Sequence, residues 1–277
     1  MIVDAIGQRH APARGEVRIV SLVPSLTELL CELGLAAQVV GRTGFCVHPR
    51  ETVRAIPKVG GTKDVDLDKV RALAPTHLVV NVDENEKPVV DALRASVPNV
   101  IVTHPIEVAD NLALYELFGR LFDRQAQAAA LQTSLRRELE DLAARPFVPM
   151  RVLYLIWRRP WMTVGPDTYV ARMLATVGLQ AVAPESDRRY PELSFASFGP
   201  ERFDAVLLSS EPYRFTEAHV RELEADPLLG GRTVQLIDGE MTSWYGSRAI
   251  EGLRYLRRYR QALESRCAGR REAELRG

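Results

Sequence analysis

Cys46 and His48 stand two residues apart in a glycine-containing loop, a C-x-H spacing in which thiolate and imidazole are both competent metal ligands. No Cys-x-x-Cys or His-x-x-x-His accompanies them, so the pair predicts no protein-only metal centre. His48 is the one histidine read as a ligand contact; His77 and His104 read as structural, His10 and His219 as surface residues. Gly60-Gly61-Thr62-Lys63 resembles a phosphate cradle but lacks the leading glycine of a P-loop, and reads as a turn. There is no G-x-S-x-G, no G-x-G-x-x-G and no H-E-x-x-H. With no acid–base pair or activated nucleophile nominated, the expectation is a protein that is not an enzyme. Trp157, Trp161 and Trp244, with Phe45, Tyr190, Tyr213, Phe215 and Tyr245, fall in loop segments instead of periodic apolar positions. Aromatic rings so placed point to a flat or bulky ligand, the alternative for Trp157 and Trp161 being core packing. Asp83-Glu84-Asn85-Glu86 reads as a solvated loop, and the arginines at 254–260 with Arg266, Arg270 and Arg271 as the exposed face of a last helix.

The elements that must position these residues alternate. Short apolar runs at 18–22, 39–40, 77–81 and 100–103 read as strands, with helices at 25–33, 66–73 and 88–95 between them. The same grammar recurs in strands at 151–156, 179–182, 204–208 and 233–237, helices at 169–177 and 217–225, a short helical stretch at 195–203 and a closing helix at 249–263. Strand–helix alternation implies parallel sheets, and its repetition implies two similar α/β lobes. Ser25 and Glu28 have the spacing of a capping box for the first helix. Between the lobes, 107–145 carries leucine and phenylalanine at three- and four-residue steps with one glycine, Gly119, and predicts a single amphipathic helix of roughly 55 Å. The domain expectation is therefore a lobe over 17–105, a connecting helix over 106–146 and a second lobe over 147–277. A helix as the sole connection predicts little opening of the cleft between lobes, and open α/β sheets bind ligands at the carboxyl ends of their strands.

The 277 residues balance 36 basic against 36 acidic side chains, which excludes a global pull toward nucleic acid or an anionic membrane. No apolar run approaches the ~18 residues of a membrane span. Three distant cysteines suggest a reduced compartment, not a disulfide framework. The first ten residues lack the marks of a secretory signal, and the chain as given reads as cytoplasmic.

Arg18-Ile-Val-Ser-Leu-Val-Pro-Ser-Leu-Thr-Glu-Leu-Leu, Ile56-Pro-Lys-Val-Gly-Gly-Thr, Asp66-Leu-Asp-Lys-Val-Arg-Ala-Leu-Ala-Pro and the long helix together resemble one family over about 17–265. It is the helical-backbone substrate-binding proteins of ABC importers for cobalamin, ferric siderophores and haem, most similar to the cobalamin-binding branch. The resemblance implies two Rossmann-like lobes joined by a single long backbone helix and a periplasmic location. It also implies a metal-chelate ligand, preferably a corrinoid, held between the lobes without covalent chemistry or an intrinsic cofactor. In the second lobe Tyr190, Trp244 with Tyr245, and Trp161 or Met162 match ligand-lining positions. In the first, His48 stands where the family usually has tyrosine, and Thr62 and Asn81 where the cobalamin binder has tryptophans. His48 is then a hydrogen-bonding group or an axial ligand to the bound chelate. Asp68 matches an acidic permease contact, while Ala196 stands at its second-lobe counterpart. The expected partners are the chelate and an ABC permease, with no nucleic acid and no membrane insertion, for a monomer. Haem or a ferric siderophore is the alternative ligand, the latter requiring Arg158, Arg159, Arg188 or Arg189. A cytoplasmic corrinoid-handling enzyme or chaperone, or a ligand-responsive interaction module, is the alternative class.

Overall fold

The apolar runs around 19–21, 77–81 and 99–103 are buried on both faces along almost their whole length, as strands flanked by helices must be. The computed structural model describes residues 2–276, and side chains through Gly269. Its first half runs β1 (Ile2–Val3), β2 (Arg9–His10), β3 (Ile19–Ser21), α1 (Pro24–Glu32), β4 (Val39–Arg42), α2 (Arg50–Val53), α3 (Leu67–Ala72), β5 (His77–Asn81), α4 (Lys87–Arg94), β6 (Asn99–Thr103), α5 (Asp110–Leu121) and α6 (Gln125–Ala143). Its second half runs β7 (Met150–Trp157), β8 (Trp161–Thr163), α7 (Tyr169–Ala175), β9 (Leu179–Ala181), β10 (Glu192–Leu193), β11 (Ala205–Ser209), α8 (Glu217–Glu224), β12 (Thr233–Ile237), α9 (Gly239–Ser243) and α10 (Arg248–Arg276). The chain divides into two α/β units. One comprises Met1–Pro105, Ala109–Leu135 and Tyr245–Arg248, the other Ile106–Val108, Arg136–Trp244 and Ala249–Gly277.

In the first unit four strands pair in the order β4-β3-β5-β6, all parallel, so every strand-to-helix loop leaves from one edge. α1 begins on Pro24, whose fixed φ suits a first helical residue. The capping box expected from Ser25 and Glu28 is not formed, and Glu28 instead takes a bidentate pair from Arg248 at 2.6 and 2.8 Å. Asp66 does cap α3, accepting from Lys69 N at 3.0 Å. The β1–β2 hairpin has arms too short to read from sequence, and it corrects His10 from a surface to a buried residue. Asp4 Oδ2 accepts from Val102 N at 3.1 Å and lies 3.1 Å from His10 Nε2, which docks the hairpin beside β6. His77, edge-on to Phe122 at 5.1 Å, has its imidazole pKa pushed down to about 4, chiefly by burial and then by His10. Below its ordinary value of 6.5 the unfolded chain takes up a proton that the folded protein refuses until about 4. Stability is therefore expected to fall as pH drops through that window. Thermal unfolding midpoints between pH 7 and 4 check this, with a shallower dependence in His77→Asn.

The helix expected over 107–145 is two helices. Phe118 and Phe122 keep the apolar spacing, but Asp123 takes φ 55 and Arg124 N donates to Gly119 O at 2.7 Å, the six-to-one bond of a Schellman cap. Gly119 lets α5 and α6 approach closely, since a Cβ there would lie 2.6 Å from Ala128 Cβ. The boundary between units falls inside α6, after Leu135; its nineteen residues span roughly 28 Å. Tyr245–Arg248 also clusters with the first unit, so α6 is not the sole connection.

In the second unit the order is β10-β8-β7-β11-β12. β11 and β12 run parallel to β7; β9 pairs with the beginning of β7 and antiparallel β8 with its end. Phe198, Phe203, Leu153, Leu155, Val206 and Leu208 are central to its core. The stretch at 195–203 is a turn followed by one 3-10 turn at Pro200–Arg202, not a helix. Of the arginines of α10 expected on a solvated face, Arg258 and Arg266 are exposed, but others turn inward. Arg254 and Arg257 reach Glu138 at 2.7 and 3.4 Å, and Arg260, 1% exposed, donates to Val148 O at 2.8 Å. Arg270 and Arg271 lie outside the described side chains.

Candidate functional site

Parallel β3, β4, β5 and β6 deliver the loops at 43–49 and 82–86, and the segment after β6, to one edge of the first unit. The loop at 43–49 is fixed from within. Thr27 Oγ1 donates to Cys46 Sγ at 3.1 Å, and Thr43 Oγ1 lies 3.2 Å from the same sulfur. Burial pushes the Cys46 thiol up, against the smaller opposing effect of those hydroxyls. Cys46 thus remains a buried neutral thiol, while His48 two residues on is half-buried and precedes a cis proline. The C-x-H pair does not act as one, and no cluster of three or more His, Cys, Asp or Glu arranged for a metal occurs among the described residues.

Thr62 is half-buried in the turn at 60–65, which Gly60 and Val65 close by a bridge. Asn81, at the end of β5, is 2% exposed: its Nδ2 donates to Thr103 Oγ1 at 3.3 Å and its Oδ1 accepts from Asp83 N at 2.8 Å. Its amide thus shapes the following loop. Of the acidic run in that loop, only Asp83 and Glu86 are solvated as expected. Asn85 is 8% exposed and donates to Leu22 O and Thr62 O at 3.1 and 3.0 Å; Glu84 accepts from the Tyr245 hydroxyl at 2.5 Å. Burial first, then Glu84, hold Tyr245 well above the ordinary phenol range, so it serves the first unit as a neutral donor. Asp68, on α3, is fully in solvent apart from Arg71 Nη1 at 3.0 Å.

In the second unit β7 ends on Trp157, 40% exposed and edge-on to Tyr213 at 5.6 Å. Trp161 begins β8 as the middle of an aromatic cluster. It stacks on Phe215 at 6.1 Å and 9°, tilts against Phe195 at 5.2 Å, and carries the Arg158 guanidinium 5.6 Å from its ring. His219, expected at the surface, closes this cluster against Tyr213 and Phe215 while completing the cap of α8 with Thr216. Met162 is half-buried and in register with Glu192. Tyr190 is 40% exposed in the loop leading to β10. Trp244 follows α9 and is 8% exposed; its Nε1 donates to Glu211 Oε2 at 3.1 Å. Asp238 caps α9, and beneath it the Tyr154 hydroxyl lies 2.6 Å from Thr242 Oγ1 and donates to Ser209 at 3.0 Å. Burial pushes Tyr154 up to about 12, so this network is neutral scaffolding.

The strand-end edge of the first unit thus gathers His48, Thr62 and Asn81, with Tyr245 tied to it through Glu84. Trp161, Met162, Tyr190 and Trp244 lie on the β8–β10 side and beyond β12 in the second. Glu211 and Asn85 escaped sequence reasoning, since a carboxylate before Pro212 and an amide in an acidic run carry no motif. A separate groove of about 590 Å³ beside β10, with Glu185, Glu192, Ser197, Phe198 and Arg202 among its lining, contains none of these residues.

The sequence model of the periplasmic binding protein family matches residues 19–233. An uncharacterized ABC transporter substrate-binding lipoprotein, YvrC, of Bacillus subtilis (strain 168) is 30% identical over 194 residues; the match covers 66% of this chain and 61% of that protein's length. A vitamin B12-binding protein of Yersinia pseudotuberculosis is 24% identical over 70% of this chain and 69% of its own. Among solved structures, the periplasmic vitamin B12 binding protein BtuF of Vibrio cholerae superposes with a TM-score of 0.76 at 16% identity, covering 89% of this chain and 97% of that one. The periplasmic heme-binding protein RhuT from Roseiflexus sp. RS-1 superposes equally, at 0.76 and 22% identity over 91% and 100%. No helix among the described residues is long and apolar enough to cross a membrane.

Proposed function

The chain belongs to the periplasmic binding protein family of ABC-transporter substrate-binding proteins, and on that premise we propose that it binds a metal-chelate ligand, a corrinoid by preference, for delivery to a permease. The binding is non-covalent and non-enzymatic. Tyr190, Trp161, Met162 and Trp244 supply apolar contact, His48 and Thr62 polar contact, Asn81 and Tyr245 hold the first-unit loops in place, and Asp68 is the permease-facing charge. The observation that carries the reading is the aromatic wall of the second unit. Tyr190 keeps 40% exposure beside a β8 whose Trp161 is fixed by Phe215 and Phe195, an arrangement suited to a large apolar ring system. Three of the four arginines that an anionic siderophore would require already have partners. Arg158 is held by Glu222, Arg188 lies 3.9 Å from Glu192, and Arg189 donates to Asp167 O. That favours an uncharged macrocycle.

Titration with cyanocobalamin, followed by tryptophan fluorescence and by heat, tests the proposal. Saturable quenching is the expected result, and no response up to about millimolar ligand, equivalent to only ~4 kcal/mol, overturns the corrinoid reading. Haem is the second reading, favoured by His48, half-buried on the same edge as the ligand-facing loops. It predicts a Soret shift on adding haemin that is lost in His48→Ala.

A further inference from the structure

Phe45, Val47 and Val82 are left 62%, 44% and 47% exposed at the strand-end edge of the first unit. Single exposed apolar side chains need no explanation, but these three sit on loops that the structure has fastened together. Between the first two, Cys46 is 1% exposed and held by Thr27 and Thr43. With Cys46 anchored inward, its two neighbours are left outside. Gly44 N then donates to Gly60 O at 2.7 Å, and the Phe45 ring rests on the turn, where a Cβ on Gly61 would lie 3.3 Å from Phe45 Cε2. The loop bearing Val82 is fastened to the same turn, because Asn85 Nδ2 donates to Thr62 O while Asn85 Oδ1 accepts from Asn81 N at 2.9 Å. A surface already held by buried anchors loses little conformational freedom when a ligand arrives, so its apolar area converts to affinity with small entropic loss.

We infer that Phe45, Val47 and Val82 are the apolar platform of the first unit, on which the face of a macrocyclic metal chelate rests, with His48 and Thr62 at its polar margin. The inference deepens the proposed function and rests on its ligand class. It adds Val47 and Val82 to the loop aromatic Phe45 that the sequence already marks, beside the expected contacts His48, Thr62 and Asn81. Cys46 and Asn85 are positioning residues for the platform and touch no ligand.

The test uses the full chain carrying Phe45→Ser, Val47→Ser and Val82→Ser together, with Phe45→Ser alone as a milder variant and Phe45→Leu as the conservative one. The probes are cyanocobalamin, haemin and the apolar dye 8-anilinonaphthalene-1-sulfonate. For whichever macrocycle the wild type binds, the triple variant is expected to raise Kd by about tenfold or more, Phe45→Ser less, and Phe45→Leu by no more than about threefold. Dye emission is expected to fall in the triple variant and to persist in Phe45→Leu. A triple variant with wild-type Kd overturns the platform. If the wild type binds neither macrocycle, the proposed ligand class fails and the dye decides separately: equal emission from wild type and triple variant overturns the platform, and lost emission sustains it as an apolar ligand surface of another class.

Discussion

Phe203→Ala is expected to lower the unfolding free energy by about 3–5 kcal/mol. The ring is fully buried and stacks on Phe198 at 6.2 Å and 9°. Leu153, Leu155, Val206 and Leu208 from the two central strands close around the same core. Those strand residues are fixed by parallel pairing, Val206 opposite Leu153 and Leu208 opposite Leu155, so the site has little freedom to collapse into the vacated volume. Because the chain has two units, a single transition is not guaranteed. The loss is therefore best read by denaturant titration together with amide exchange. Protection should drop along β7 and β11 and hold along β5 and β6. A loss below about 1 kcal/mol would show that the core around Phe203 closes over the cavity.

Tyr190→Ala should weaken ligand binding about 30- to 150-fold, or ~2–3 kcal/mol, with almost no change in thermal stability. The two readouts separate because the side chain is 40% exposed and lies in a loop, so its removal opens no core cavity. What it takes away is a rigid aromatic face, the kind of group that concentrates binding energy at small-molecule and protein interfaces alike. Tyr190→Phe distinguishes ring from hydroxyl, and should keep affinity within about threefold if stacking dominates. Calorimetry on both variants with the ligand that the wild type binds checks this, and unchanged affinity in Tyr190→Ala would remove the second-unit aromatic wall from the site.

Much of the architecture was legible because it rests on local pattern. His77–Asn81 and Thr233–Ile237 form strands at the very residues their apolar runs mark, and helix α3 starts on the Asp66 cap. The misreadings have physical causes. Phe118, Leu121 and Phe122 continue the helical period through a break that is made by the backbone of Asp123, a residue whose short polar side chain tolerates φ 55 but announces nothing. Gly119 was the trace of that break, visible but read as an isolated glycine. The β1–β2 hairpin has two residues per arm, below any periodicity. Of the site, the loops were foreseeable and the anchors were not. Cys46 stands in a C-x-H spacing with His48, which says nothing of its actual partner Thr27, nineteen residues earlier. Glu84 and Asn85 looked solvated because composition cannot tell which members of an acidic run turn inward. Phe45 was noticed as a loop aromatic, but its prominence depends on Gly61, which only the fold brings beneath it.

The four residues Tyr245–Arg248 set a timetable for biosynthesis. Their backbone is gripped within the first unit: Gly246 N donates to Asn111 Oδ1 at 2.6 Å, Gly246 O accepts from the Tyr115 hydroxyl at 2.8 Å, and Arg248 clasps Glu28. Gly246 itself has φ 82 and passes so close to Leu29 that a Cβ would lie 3.3 Å from that side chain. A ribosome that has released Leu135 has delivered every other piece of that unit, yet Asn111, Tyr115 and Glu28 must wait for these partners until Arg248 emerges, a delay on the order of ten seconds. The amino-terminal half is thus finished nearly last, and a fragment cut within α6 would be born without the segment that those three side chains hold.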